Sequence, residues 1–128
     1  MKLARVIYGC AGIYGLLVLL PQYFLEATMN RLAPPAITHP EFYYGFIGVA
    51  VAWQVMFLLI AYDPKRYRPV MLVSLIEKFS FAGAAVVLLL QWRLSWMMFG
   101  AAMLDAVWGC LFVAAYRAMG QWDSKAEN

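Results

Sequence analysis

The 128 residues leave room for a single domain. With 65% apolar and 13% charged residues, the chain carries more apolar surface than a soluble domain of this size can bury, so lipid is the solvent that its composition fits. The formal net charge of +3 is small and spread over loops rather than gathered in a patch, which argues against nucleic acid as a partner.

A helix needs about 20 mostly apolar residues to cross a bilayer. Four stretches qualify, which predicts an all-α, integral membrane four-helix bundle over residues 1–128. The first runs from about Leu3 to Leu25, and Pro21 kinks or ends it. No small-x-small cleavage signature follows its basic start, so it reads as a retained helix rather than a signal peptide. The second runs from Phe42 to Tyr62, the third from Val70 to Gln91, and the fourth from Leu94 to Tyr116. Between them lie a long loop over about residues 26–41, a basic loop from Asp63 to Pro69, and a tight turn at Trp92 and Arg93. The tail after Met119 is polar and is expected to fray.

Lys2, Arg5, Lys65, Arg66, Arg68, Arg117 and Lys125 fall on one side of this arrangement, and only Arg31 and Arg93 on the other. Basic loops stay in the cytoplasm, so both termini are expected there, with the long loop facing outward, into the periplasm if the host is a Gram-negative bacterium. Tyr23, Tyr43, Tyr44, Trp92 and Trp96 would mark the outer interface, and Tyr62, Tyr67, Tyr116 and Trp122 the inner one.

Small residues recur at helical spacing: Gly9, Gly12 and Gly15; Gly48 and Ala52; Ala102, Ala106, Gly109 and Cys110. In lipid these permit close backbone approach and so mark packing faces. Cys10 and Cys110 both fall in apolar runs and read as buried, reduced, space-filling thiols.

Ionisable residues at membrane depth are costly and merit a functional hypothesis. Counting at about 1.5 Å per residue from the turns places Tyr14, Gln54, Glu77 and Asp105 near one level, one from each helix, with Lys78 and Ser80 close by. Asp105 lies near mid-span on any reasonable placement and is expected to face the bundle, with Gln54, Ser80, Lys78 or Tyr14 as its partner. The structural alternative is that the acids merely tie helices together. If the third helix starts late, Lys78 instead snorkels to the headgroups and Glu77 pairs with the basic loop.

The outer loop is stiffened by Pro34, Pro35 and Pro40. Thr38 or His39 would cap the second helix, with Pro40 in its first turn and Glu41 near its positive end. His39 with Glu41 and Glu26 is a weak metal set, having one histidine and no fixed spacing, so no metal is assigned. The single histidine excludes bis-histidine haem within one chain. No Gly-rich phosphate loop, Ser-His-Asp set or Cys-x-x-Cys pair is present, so neither catalytic residues nor a cofactor are assigned.

The stretches Gly12 to Leu17, Pro34 to Phe46, Ala52-Trp53-Gln54, Asp63 to Pro69 and Glu77-Lys78 resemble an uncharacterised family of bacterial four-helix inner-membrane proteins, similar in architecture to DoxX-like proteins. The resemblance implies the four-helix fold and brings no activity with it. Three functions compete. The first is a non-catalytic accessory subunit or a module binding a lipid or quinone-like molecule, in contact with membrane lipid and a membrane protein partner or a second copy. The second is a small proton-coupled transporter acting as an oligomer. The third is an isomerase-type membrane enzyme using the buried acids.

Overall fold

The computed structural model describes residues 1–126, with side chains to residue 120. Its elements are helices α1 (Lys2–Leu19), α2 (Glu26–Leu32), α3 (Pro40–Tyr62), α4 (Arg68–Leu90) and α5 (Trp96–Ala126), with a 3-10 turn at Leu20–Phe24 between α1 and α2. Among the described residues no strand forms. Four segments are long and apolar enough to cross a membrane: Lys2–Phe24, Pro40–Tyr62, Arg68–Leu90 and Trp96–Gly120. These are the helices of a multi-pass membrane protein, and they alternate in direction along the chain.

Local chemistry fixes most of the boundaries. Pro21 lies at the start of the 3-10 turn that ends α1, since its ring cannot donate to the helical ladder. His39 is the N-cap residue of α3, Pro40 opens that helix, and Glu41 sits in its first turn beside the positive end of the dipole. The α4–α5 turn closes with a Schellman pair: the Arg93 amide bonds the Leu88 carbonyl at 2.9 Å and the Trp92 amide bonds that of Leu89 at 2.9 Å. Trp92 takes the left-handed position, with φ of 57°, where glycine is usual.

The long outer segment departs from expectation because its first part, Glu26–Leu32, is helical. Glu26 in its first turn and Arg31 in its last complement the helix dipole. Asn30 Oδ1 then accepts the Ile37 amide at 2.7 Å and ties down the proline-rich stretch, where the Pro34–Pro35 bond is cis. At the other terminus α5 runs to Ala126 rather than fraying after Met119, and residues 127–128 lie outside the described residues.

The helices form two intimate pairs, α1 with α3 and α4 with α5, joined mainly where α1 meets α5. Glycines explain the first pairing. A Cβ on Gly12 would come within 2.8 Å of the Leu58 side chain, and one on Gly15 would collide with the Gln54 amide. Gly109 does the same for the second pair, since its bare face lies against the Phe79 ring. Ala52 and Cys110, read as packing residues, are instead exposed on the outside of the bundle, as is Cys10. Both cysteines are free, but neither is buried.

The core is concentrated at the end that carries Lys2, Arg5, the α3–α4 loop and Arg117, here called the basic end. Ala4, Ile7, Tyr8, Phe57, Ile60, Met71, Phe112, Ala115 and Met119 form one cluster there. Tyr8 stacks on Phe112 at 4.1 Å between ring centres, meets Phe57 edge-on at 5.9 Å, and shares a hydrogen bond of 2.7 Å with Ser74. α3 and α4 are adjacent in sequence but touch only sparsely. Phe57, Ile60 and Met71 hold them together near the basic end, and beyond that layer they part.

Candidate functional site

Beyond the aromatic layer the bundle opens into a cavity of about 370 Å³. Each of the four spanning helices contributes to its wall, and Met29 and Leu32 of α2 cover its far end. Tyr14, Gln54, Glu77, Lys78 and Asp105 all line it, so the polar residues expected at one level do meet around a common space. The rest of the wall is apolar, with Phe46, Phe81, Trp108 and the methionines 29, 97 and 98 prominent.

Three charges make the polar floor. Lys78 Nζ lies 3.0 Å from Asp105 Oδ1 and 3.4 Å from Glu77 Oε2, and 5.3 Å from the centre of the Phe57 ring. Lys78 is 5% exposed and turned into the bundle, not snorkelled toward headgroups. α4 begins at Arg68, ten residues earlier in the chain and thus about 15 Å along the axis, which puts Lys78 too deep to reach the surface. Asp105 faces inward as expected, and of its possible partners it takes Lys78. Glu77 Oε2 is buried and, although in ion-pair range of Lys78, accepts no hydrogen bond.

The two neutral members are held differently. The Gln54 amide nitrogen donates to the Ala50 carbonyl of its own helix at 3.1 Å, and its side chain fills the notch left by Gly15. Tyr14 packs its ring 5.8 Å from that of Trp108, at the α1–α5 side of the cavity. Among the described residues no hydrogen bond links Tyr14 or Gln54 to the charged trio. Ser80 donates back to the Glu77 carbonyl at 3.2 Å and lies outside this cavity.

Where α3 and α4 part, a second hollow of about 460 Å³ runs along the outside of the bundle. Phe46, Ala50, Glu77, Phe81 and Asp105 line both spaces. The Phe46 and Phe81 rings, 6.5 Å apart, stand between the outer groove and the cavity.

The outer-loop candidates are separate from this site. His39 Nδ1 lies 3.2 Å from Glu41 Oε1, both side chains exposed, while Glu26 accepts a hydrogen bond of 2.7 Å from the Tyr44 hydroxyl. Glu26 is thus engaged elsewhere, and among the described residues no three His, Cys, Asp or Glu side chains gather to hold a metal ion.

Sequence reasoning missed the Tyr8–Ser74 bond, the α3–α4 groove and the cover formed by α2. The first had a faint signal, since Tyr8 and Ser74 are polar groups well inside apolar runs. The groove had none. Chemically, the cavity is an amphiphilic pocket: acceptor-rich at its floor, apolar and aromatic along its walls. Comparison of the chain with protein-family models, with curated proteins and with solved structures finds no match.

Proposed function

We propose that this protein is a non-catalytic ligand-binding module of a bacterial inner membrane, which holds an amphiphilic, lipid- or quinone-like molecule in its central cavity, alone or as an accessory subunit beside a membrane partner. The observation that carries the reading is the cavity itself. It is a concave, open pocket walled by all four spanning helices, the form in which proteins hold small molecules. Its polar floor and apolar walls match a molecule with a polar head and an apolar body. The aromatic layer of Tyr8, Phe57 and Phe112 closes the cavity toward the basic end, which favours binding over passage through the bundle.

The orientation proposed with it has both termini in the cytoplasm, on the positive-inside rule. Reporter fusions after Glu26 and near Trp92 should then read outside, and fusions at Lys65 and after Asn128 inside. A cytoplasmic reading for the loop that carries His39 would reverse the assignment. The binding reading is tested by purification in mild detergent followed by native mass spectrometry. A retained small molecule on the single chain supports it. A bare homodimer, with no adduct, favours the carrier alternative instead.

A further inference from the structure

The charges on the cavity floor narrow the class of ligand, an inference that rests on the binding reading above. Among the described lining residues Lys78 is the one cation, and its ammonium is already taken up by Asp105 at 3.0 Å and Glu77 at 3.4 Å. Two carboxylates against one ammonium leave a formal surplus of one negative charge. The surplus is also the accessible part of the trio: the Lys78 side chain is 7% exposed, against 20% for Glu77 and 27% for Asp105. An unbalanced carboxylate at membrane depth is expensive, and either a proton or a cation placed against it relieves the cost. Tyr14, Trp108, Phe46 and Phe81 line the same space, and aromatic faces attract cations.

The route is given by the second hollow. Glu77 and Asp105 line the α3–α4 groove as well as the cavity, so they are approached from the lipid side as well as from within. We infer that the cavity takes a lipophilic cation, which enters from the bilayer between α3 and α4, past Phe46 and Phe81, and sets its charge against Glu77 and Asp105. A quinone presents acceptor oxygens to a floor whose one ammonium is already engaged. An anionic amphiphile meets the surplus negative charge directly.

The test is equilibrium dialysis of the full chain in lipid nanodiscs against radiolabelled tetraphenylphosphonium, decylubiquinone and dodecanoate in turn, the last two also as competitors of the cation, with the cation's association rate followed by rapid filtration. Saturable binding of the cation is expected, unaffected by either competitor and weakened at least about tenfold by Glu77→Gln. Glu77→Asp keeps the charge and should restore most of the binding, which separates charge from folding. Phe46→Ala should speed association of the cation several-fold, and an unchanged rate overturns the route. Binding of decylubiquinone but not of the cation overturns the charge assignment and leaves the binding reading standing. Cation binding that Glu77→Gln leaves intact overturns the role of the carboxylate. If none of the three probes binds, the cation proposal fails; the binding reading fails with it only if purified protein also carries no adduct.

Discussion

The two halves of this bundle are built from the same helices but solve different problems. Toward the basic end, Tyr8, Phe57, Phe112, Met71 and Met119 are fully buried and interlock across the bundle, and the buried hydroxyls of Tyr8 and Ser74 satisfy each other. Toward the other end the same helices diverge around a void whose floor holds three charges. Without a hydrophobic drive between helices in lipid, association depends on close packing and on polar bonds. The contrast teaches that the first half supplies the packing, and so permits the second half to remain open.

The largest expected effect comes from breaking the ion pair. Lys78→Met leaves Asp105 and Glu77 facing each other without their counterion, and should cost about 3–5 kcal/mol in denaturant unfolding of the micelle-bound protein. The double variant Lys78→Met, Asp105→Leu should recover part of that loss, because Asp105 no longer lacks its counterion while Glu77 still does. Phe112→Ala, in the packed half, should cost about 3 kcal/mol through the hole it leaves between Tyr8 and Phe57. Leu32→Ala, on the cover at the far end of the cavity, should change stability by less than about 0.5 kcal/mol. Equal losses at the two sites would erase the distinction between the halves. Gly15→Ala forces the Gln54 side chain from its notch and should cost about 1–3 kcal/mol by the same unfolding measurement. A small effect is expected for Tyr8→Phe, which removes one interhelical hydrogen bond worth about 0.6 kcal/mol in a membrane protein.

Much of this was legible in the sequence, for identifiable reasons. The four spans follow from length and hydropathy, and Pro21 and Pro40 mark the ends of α1 and the start of α3. The meeting of Gln54, Glu77, Lys78 and Asp105 follows from helical rise, because a hairpin of two helices fixes relative depth. Rotation about the helix axis is what the sequence obscures. In a soluble helix the apolar stripe points inward, but a helix in lipid is apolar on every side. Cys10, Cys110 and Ala52 were therefore assigned to buried faces and lie on the outside. The same blindness hid the α3–α4 groove, since Val49, Val73 and Ile76 read alike whether they pack or face lipid. Helix α2 was lost because seven residues are too few for a periodic signal, although Glu26 and Arg31 already stood at the ends the dipole favours.

The central claim is that the open half exists to hold a molecule, and Ala101 offers the most direct way to test it. It lines the cavity from α5, one helical turn before Asp105. Ala101→Phe should fill part of the void while leaving the Lys78–Asp105 pair and the Tyr8 layer intact. Native mass spectrometry of the two proteins, released from the same lipid, measures occupancy directly. The account predicts a small-molecule adduct on the unaltered chain that disappears in Ala101→Phe, with the unfolding midpoint of the variant maintained. An adduct that persists with the cavity filled, or a chain that carries none in either form, would contradict it.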